Sequence, residues 1–211
     1  MIEEITYENI HLYGSILPEI HRLRHECFVK RQNYDVPSYK GMEYDNYDTP
    51  ATVYLVWRGN DGKVHGLSRL SPTDRPYMIK DIWPYMITKI PMPNSDKIIE
   101  STRFCVRDSL DRKLRKRIIA ELVCAGLEYS LKNNITDNIG VMPPLIWKFV
   151  FINSGWPIEY IGDVVQLDDG AKVVAARMPV NIENLNNVYE VNGFNNPVLS
   201  TADNNNLYEV I

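Results

Sequence analysis

The sequence predicts an α/β (α+β) domain in which helices flank a mixed, mainly antiparallel sheet. Three observations carry that prediction. Apolar residues recur at helical spacing in two separate stretches, 17–31 and 114–129. Alternating strands meet at two tight turns, Gly59-Asn60-Asp61-Gly62 and Asp169-Gly170. The 211 residues are 45% hydrophobic, enough for a full core and too much for a disordered chain.

In chain order, Leu17, Ile20, Arg24, Cys27 and Phe28 share one face of a helix over 17–31. That face carries a guanidinium among apolar neighbours, so Arg24 needs an acidic partner. Residues 32–50 contain Pro37, Gly41, four tyrosines and the acidic Glu43, Asp45 and Asp48, and read as a long, mobile loop whose aromatic content suits a functional role. Strands follow at 52–57 and 64–70, with Arg69 on the same side as His65 and Leu67. Five prolines allow only short helical turns in 71–94. Strand 97–106 then sets Glu100, Thr102 and Phe104 on one side, and Ser101, Arg103 and Cys105 on the other.

Leu114, Ile118, Leu122, Ala125 and Tyr129 form the stripe of an amphipathic helix, with Asp108, Ser109 or Asp111 as its cap. A short strand at 138–142, a helix over 143–154 closed by Gly155, a strand over 158–167 and a returning strand over 172–178 complete the order. The chain thus reads as one domain over 1–180, and the Asn-rich 181–211 reads as a poorly ordered tail. A net charge of −4 argues against a general nucleic-acid binder, and no apolar run approaches the roughly 20 residues of a membrane span. Three cysteines without paired spacing, and an acidic opening with no basic-then-apolar leader, lead us to expect a reduced, cytoplasmic setting.

The charges carry the functional signal. Arg24 lies on an apolar helix face, Glu100 and Arg103 within an apolar strand, and Asp45 and Asp48 in an aromatic-rich loop. Singly each reads as a structural ion pair or a snorkelling chain. Together they describe a polar, mixed-charge cleft. His21, His25 and His65 make no zinc pattern, and Cys27 and Cys105 have the apolar neighbours of buried thiols, so no metal and no thiol nucleophile is expected.

In this order the residues resemble the LuxI-type acyl-homoserine-lactone synthases. The resemblance lies in Arg24 and Phe28 of RLRHECF, Glu43, Asp45 and Asp48 of GMEYDNYD, and Arg69 of GLSRLSPTDRPYM. It continues in Glu100 and Arg103 of ESTRFCV and in Gly155 and Trp156 of NSGWP. It implies a fold related to the GNAT acyltransferases, with a V-shaped split between central strands. It also implies that S-adenosylmethionine is a substrate, that no true cofactor is used, and that an acyl thioester is the donor. The α-amine attacks the thioester, and the carboxylate then closes on the γ-carbon, expelling 5'-methylthioadenosine and forming the lactone.

On that reading Glu100 is the proton acceptor, with Asp45 and Arg103 beside it in catalysis. Phe28, Tyr34, Asp45, Asp48, Arg103 and Phe104 hold S-adenosylmethionine, and backbone N–H groups near Phe104 and Cys105 serve the oxyanion. Arg24, Glu43 and Arg69 form a supporting ion-pair network. Val141, Met142, Leu145, Trp147 and Phe151 are acyl-pocket candidates, although Trp147 and Phe151 are more readily read as plain core.

Two departures from the family pattern matter. Tyr34 stands where relatives usually carry tryptophan. Val141 stands where makers of 3-oxo-acyl signals carry threonine, and valine cannot donate a hydrogen bond, so an acyl chain without the 3-oxo group is expected. The turn VRDSLDRKLRKR lacks the glycines of a standard coenzyme A site, while Arg112, Arg115 and Lys116 suit an acidic acyl carrier protein, which makes the carrier protein the favoured donor and acyl-coenzyme A the other. The rival readings are a GNAT-type acetyltransferase acting on another amine and a non-catalytic relative that binds S-adenosylmethionine or carrier protein.

Overall fold

The structure is a computed structural model and describes residues 1–200. Along the chain it has β1 (Ile2–Ile5), α1 (Ile16–Arg24), β2 (Ser38–Tyr39), β3 (Met42–Glu43), β4 (Val53–Arg58), β5 (Val64–Pro72), α2 (Met78–Ile82), β6 (Ile98–Val106) and α3 (Arg112–Lys132). There follow β7 (Asp137–Met142), α4 (Pro144–Ile146), β8 (Glu159–Tyr160), β9 (Val165–Gln166), β10 (Lys172–Pro179), α5 (Ile182–Asn192) and β11 (Leu199–Ser200). Strand pairing is mostly antiparallel, with β1–β11 and β6–β7 parallel. This is the mixed architecture expected.

The chain divides into two compact units where one domain was expected. One comprises Met1–Arg69, Arg103–Ala125 and the stretch from Pro197; the other comprises Leu70–Thr102 and Gly126–Asn196. Three of the four divisions fall inside β5, β6 and α3, where no change of composition marks them, and the fourth falls between α5 and β11.

In the first unit the strand order is β11-β1-β4-β5-β6. Ile16, Ile20, Leu23, Cys27 and Phe28 pack onto Ile5, Tyr54, Val56, Val64, Leu67 and Cys105 of these strands. The predicted helix is α only to Arg24 and continues as a π-helix over His25–Arg31, where Gln32 N–H reaches back to the Cys27 carbonyl at 3.2 Å. The wider turn keeps both Cys27 and Phe28 in the core. At Gly66 an added Cβ would come within 2.4 Å of Ile118, so glycine lets α3 lie close on β5. Asp111 caps α3, its Oδ1 accepting from Lys113 N–H at 2.9 Å and Leu114 N–H at 3.0 Å. Residues 121–127 of that helix are buried all round, which corrects the single apolar stripe.

In the second unit the order is β6-β7-β10-β8, around a core of Tyr77, Ile79, Met86, Ile139, Ile161 and Ala175. The strand expected over 158–167 is instead the two short pieces β8 and β9. Gly162 lies between them, and a Cβ there would fall 1.8 Å from the Met86 carbonyl oxygen. The expected poorly ordered tail is corrected too. Asn181 caps α5 through its side chain, Val188 is buried, and β11 pairs with β1 in the first unit. Residues 201–211 of that tail lie outside the described residues. No helix among the described residues is long and apolar enough to cross a membrane.

Candidate active site

The 32–50 stretch is irregular apart from the β2–β3 hairpin, yet Glu43, Asp45 and Asp48 are firmly held. Arg24, fully buried on α1, donates from Nε to Glu43 Oε2 at 2.5 Å, from Nη2 to Glu43 Oε1 at 3.0 Å and from Nη1 to Asp48 Oδ1 at 2.5 Å. Arg69 reaches from β5 to Asp45 Oδ1 at 2.5 Å and Asp48 Oδ1 at 2.9 Å. Arg103 completes the group with Nη2 2.7 Å from Asp45 Oδ2 and 3.0 Å from Glu43 Oε1. Three guanidinium groups thus meet three carboxylates, and the partner that Arg24 required is Glu43.

Exposure divides this cluster. The Arg24, Arg69 and Glu43 side chains are sealed, whereas those of Asp45, Asp48 and Arg103 keep 11%, 12% and 10% of their surface open. Burial works to raise the Asp48 pKa, but the hydrogen bond and charge of Arg24, with Arg69, outweigh it and hold the carboxyl below its ordinary value. Glu43 is lowered in the same way, burial being overcome by Arg24 and Arg103. Arg24 is correspondingly raised: burial works against its charge, and hydrogen bonds to Glu43 and Asp48 prevail.

Aromatic rings line the open edge. The Arg103 guanidinium lies 5.2 Å from the Phe28 ring centroid, and Phe28 stacks with Tyr34 at 6.0 Å and 22°. Phe104, next along β6, is half-buried. Three participants escaped sequence reasoning. The Tyr54 hydroxyl donates to Asp48 Oδ1 at 2.7 Å, His21 Nδ1 pairs with the Glu43 carbonyl at 2.8 Å, and the Arg69 guanidinium lies over the Tyr47 ring. Only Tyr54 left a signal, being an inward-alternating polar tip on β4 beside Val56.

Arg103 has φ = 52°, the left-handed region that a residue with a side chain rarely adopts. The cause is visible in the register of β5 and β6. Thr73 N–H donates to the Ile98 carbonyl, while Arg107 N–H donates to the His65 carbonyl. Between those two bonds β6 spends one residue more than β5, which is a β-bulge. The strict alternation expected over 97–106 therefore breaks at Arg103.

Glu100 belongs to the second unit and is 1% exposed. Its Oε2 accepts from Met78 N–H at 2.8 Å and its Oε1 from Ile79 N–H at 2.7 Å, at the start of α2. The nearby Tyr77 hydroxyl is pushed up to about 12 by burial and by the Glu100 charge. Val141 and Met142 are half-buried on β7, with Val141 against the core of this unit. Trp147 is sealed, donating from Nε1 to the Val174 carbonyl at 3.0 Å, and Phe151 packs tilted against it. Leu145 is 61% exposed and builds no buried wall.

On α3, Arg112 and Lys116 are exposed, while Arg115 is half-buried with its Nε lacking a hydrogen-bond partner among the described residues. Their neighbours Arg107 and Arg117 are committed, Arg107 to Glu26 and His65 and Arg117 to Glu121. Cys27, Cys105 and Cys124 are buried and form no disulfide among the described residues.

A family described as autoinducer synthase matches residues 8–188. The isovaleryl-homoserine lactone synthase of Bradyrhizobium diazoefficiens is 30% identical over 193 residues, 90% of this chain and 84% of that protein. An acyl-homoserine-lactone synthase of Ralstonia nicotianae is 38% identical over 106 residues, 47% of this chain and 52% of that relative, so about half of its length is spanned. Among solved structures, the CoA-dependent acyl-homoserine lactone synthase BjaI, with SAM and isopentyl-CoA, has a TM-score of 0.83 at 28% identity, covering 95% of this chain and 92% of that one. A second structure of BjaI, with MTA, matches equally. A putative N-acetyltransferase from Lactobacillus plantarum, 16% identical with a TM-score of 0.56, covers 85% of this chain and 99% of its own and shares the fold.

Proposed function

Since the chain belongs to the autoinducer synthase family and is an acyltransferase of the acyl-homoserine-lactone synthase kind, we propose that it joins S-adenosylmethionine to an acyl thioester and releases 5'-methylthioadenosine with the lactone. The observation that carries the substrate assignment is the open edge of the charge cluster. Asp45 and Asp48 offer partly exposed carboxylates to a sulfonium, and Phe28 and Tyr34 offer ring faces beside them. Phe104 adjoins this edge along β6, and Arg103 orients Asp45 across it. Arg24, Glu43 and Arg69, sealed from solvent, act through the residues they hold.

Acylation needs a neutral amine, and Glu100 takes the proton. Its two oxygens accept the Met78 and Ile79 N–H groups, which fix the carboxylate at the start of α2. Ring closure is intramolecular, so its rate rests on holding the methionine portion folded.

For the donor, the CoA dependence of BjaI favours an acyl-coenzyme A. The carrier protein is a second reading with its own support. Asp111 already occupies the first free amides of α3, where a coenzyme A phosphate would bind, and exposed Arg112 and Lys116 suit an acidic carrier. The half-buried Arg115 contributes less to such a face than its place in the sequence suggests. Val141, Met142 and the Tyr77–Ile79 core beside Val141 suit an acyl chain without a 3-oxo group.

The test is mass spectrometry of the purified protein with S-adenosylmethionine and matched acyl-coenzyme A and acyl-carrier donors, with Glu100→Gln alongside. We expect an acyl-homoserine lactone and equimolar 5'-methylthioadenosine from the native chain. An acylated amine without methylthioadenosine would move the reading to an ordinary acetyltransferase, and no product from any donor would move it to a binding protein.

A further inference from the structure

Ser71 carries a buried hydroxyl in the second unit that the fold leaves without a protein partner among the described residues. It lies on β5, 5% exposed, and its Oγ is buried without a hydrogen-bond partner among the described residues. Buried hydroxyls are almost always satisfied, so a buried one without a partner marks a place where a polar guest binds. Thr73, just past the end of the strand, shows how a structural hydroxyl behaves here: its Oγ1 donates to the Ser95 carbonyl at 2.9 Å and accepts from Ser95 N–H at 3.0 Å.

The register identifies what Ser71 faces. The Thr73 N–H to Ile98 carbonyl bond sets Thr73 opposite Ile98 across antiparallel β5 and β6, which brings Ser71 opposite Glu100. Residues directly opposite share a face, with Cβ atoms about 5 Å apart. Glu100 anchors its two oxygens on Met78 N–H and Ile79 N–H, and Ser71 Oγ makes no hydrogen bond to it. A hydroxyl and a carboxylate that share a face without a direct bond are groups that one solvent molecule can bridge.

We propose that Ser71 is a positioning residue for proton transfer, its hydroxyl fixing the water through which Glu100 takes the proton of the attacking α-amine. The water accepts from Ser71 Oγ–H and donates to a Glu100 oxygen. As the amine nitrogen bonds to the thioester carbon, its N–H proton passes to the water and a water proton passes to Glu100. The C–S bond then breaks, and the departing thiolate is the final acceptor of that proton. The proposal rests on the reading of Glu100 as the base, and the experiment separates the two.

Ser71→Ala and Glu100→Gln are compared with the native protein for thiol release from an acyl thioester, KM for S-adenosylmethionine, proton inventory in H2O/D2O mixtures and thermal midpoint. For Ser71→Ala we expect kcat to fall about tenfold with KM within about twofold, since a misplaced base loses part of its catalytic factor and not the substrate's binding. We expect a two-proton inventory to become linear, and the thermal midpoint to stay unchanged, because the hydroxyl bonds no protein group among the described residues. A structural serine would behave in the opposite way, with a lower midpoint and KM and kcat shifting together. Native turnover in Ser71→Ala, or loss only in step with lost stability, overturns the assignment. If Glu100→Gln turns over like the native chain, the base itself is wrong; if it is dead while Ser71→Ala is unaffected, only the Ser71 proposal fails.

Discussion

Arg103 grips Glu43 with two nitrogens of its guanidinium, Nε to Oε2 at 3.2 Å and Nη2 to Oε1 at 3.0 Å, from a backbone held at φ = 52°. A left-handed residue with a side chain costs about 1–2 kcal/mol, so the bulge is kept for where it delivers the guanidinium. That place is beside Asp45 and over the Phe28 ring.

A lysine at 103 would keep the charge and lose the fork. Arg103→Lys is expected to release methylthioadenosine about 10–100-fold more slowly, as a positioned charge is replaced by a mobile one. The fold should survive, because Arg24 still holds Glu43. Turnover within about twofold of native would show that a point charge at this position is enough.

Arg24 is a matter of stability. Replacing it by methionine leaves Glu43 with only Arg103 and leaves Asp48 with only Arg69 among these guanidiniums. Breaking a buried pair typically costs about 3–5 kcal/mol, so Arg24→Met should unfold at much lower denaturant than the native chain. An unchanged midpoint would mean that the remaining arginines repack to cover both acids.

Acid sensitivity follows from the same carboxylates. Asp48 and Glu43 are held below their ordinary values of 3.8 and 4.5 against the pull of burial, by Arg24 with Arg69 or Arg103. A carboxyl lowered by folding contributes stability that is complete above its unfolded pKa and lost as pH falls through the folded one. The urea midpoint should therefore be insensitive to these groups above about pH 5 and fall steeply below about pH 4. Asp48→Asn should be less stable at neutral pH and show a shallower acid limb. An identical acid limb in the two proteins would place the lost stability in other carboxyls.

Much of this arrangement was legible in the sequence because charge and periodicity conflict there. A guanidinium on the face of Ile20, Cys27 and Phe28 demands a carboxylate, and three of the four in the next loop reach it. The β4–β5 hairpin was equally plain, since Gly62 at φ = 76° closes the turn that its glycines announce. The β-bulge was not legible: it depends on register against β5, and Arg103 is no glycine. The anchoring of Glu100 at α2 needs contacts 21 and 22 residues away. β1 was missed because four residues with acids in the middle offer no period. The break at Gly162 arises from the approach of Met86, which local pattern cannot show.

Acyl selectivity should turn on β7. Val141 is half-buried against the core of the second unit, opposite Ala175 on β10, and nothing it carries can donate to a carbonyl. Val141→Thr keeps the volume and adds a donor. Product spectra from matched 3-oxo and unsubstituted thioesters should shift toward the 3-oxo product by about fivefold to tenfold, the worth of one hydrogen bond. An unchanged ratio would remove Val141 from the list of selectivity positions.

The Asn-rich tail is built into both units, and its removal should show this in two steps. Truncation after residue 196 deletes β11 and the Val198 and Leu199 contacts of β1, including the Ile2 N–H to Val198 carbonyl bond at 2.8 Å. Truncation after residue 180 deletes α5 as well. That helix buries Val188, ties Asn187 Nδ2 to the Gly155 carbonyl and Asn192 Nδ2 to the Ser154 carbonyl, and bonds Tyr189 to Glu128. One buried valine and several partly buried hydrogen bonds together are worth more than about 2 kcal/mol, so the longer deletion should be the less stable protein by a clear margin. The sequence alone marks these asparagines as disorder-prone, yet here their amides cap and staple, which is chemistry that apolar residues cannot supply. Calorimetry of the two truncations beside the full chain decides it: equal midpoints would return the tail to the status of an appendage.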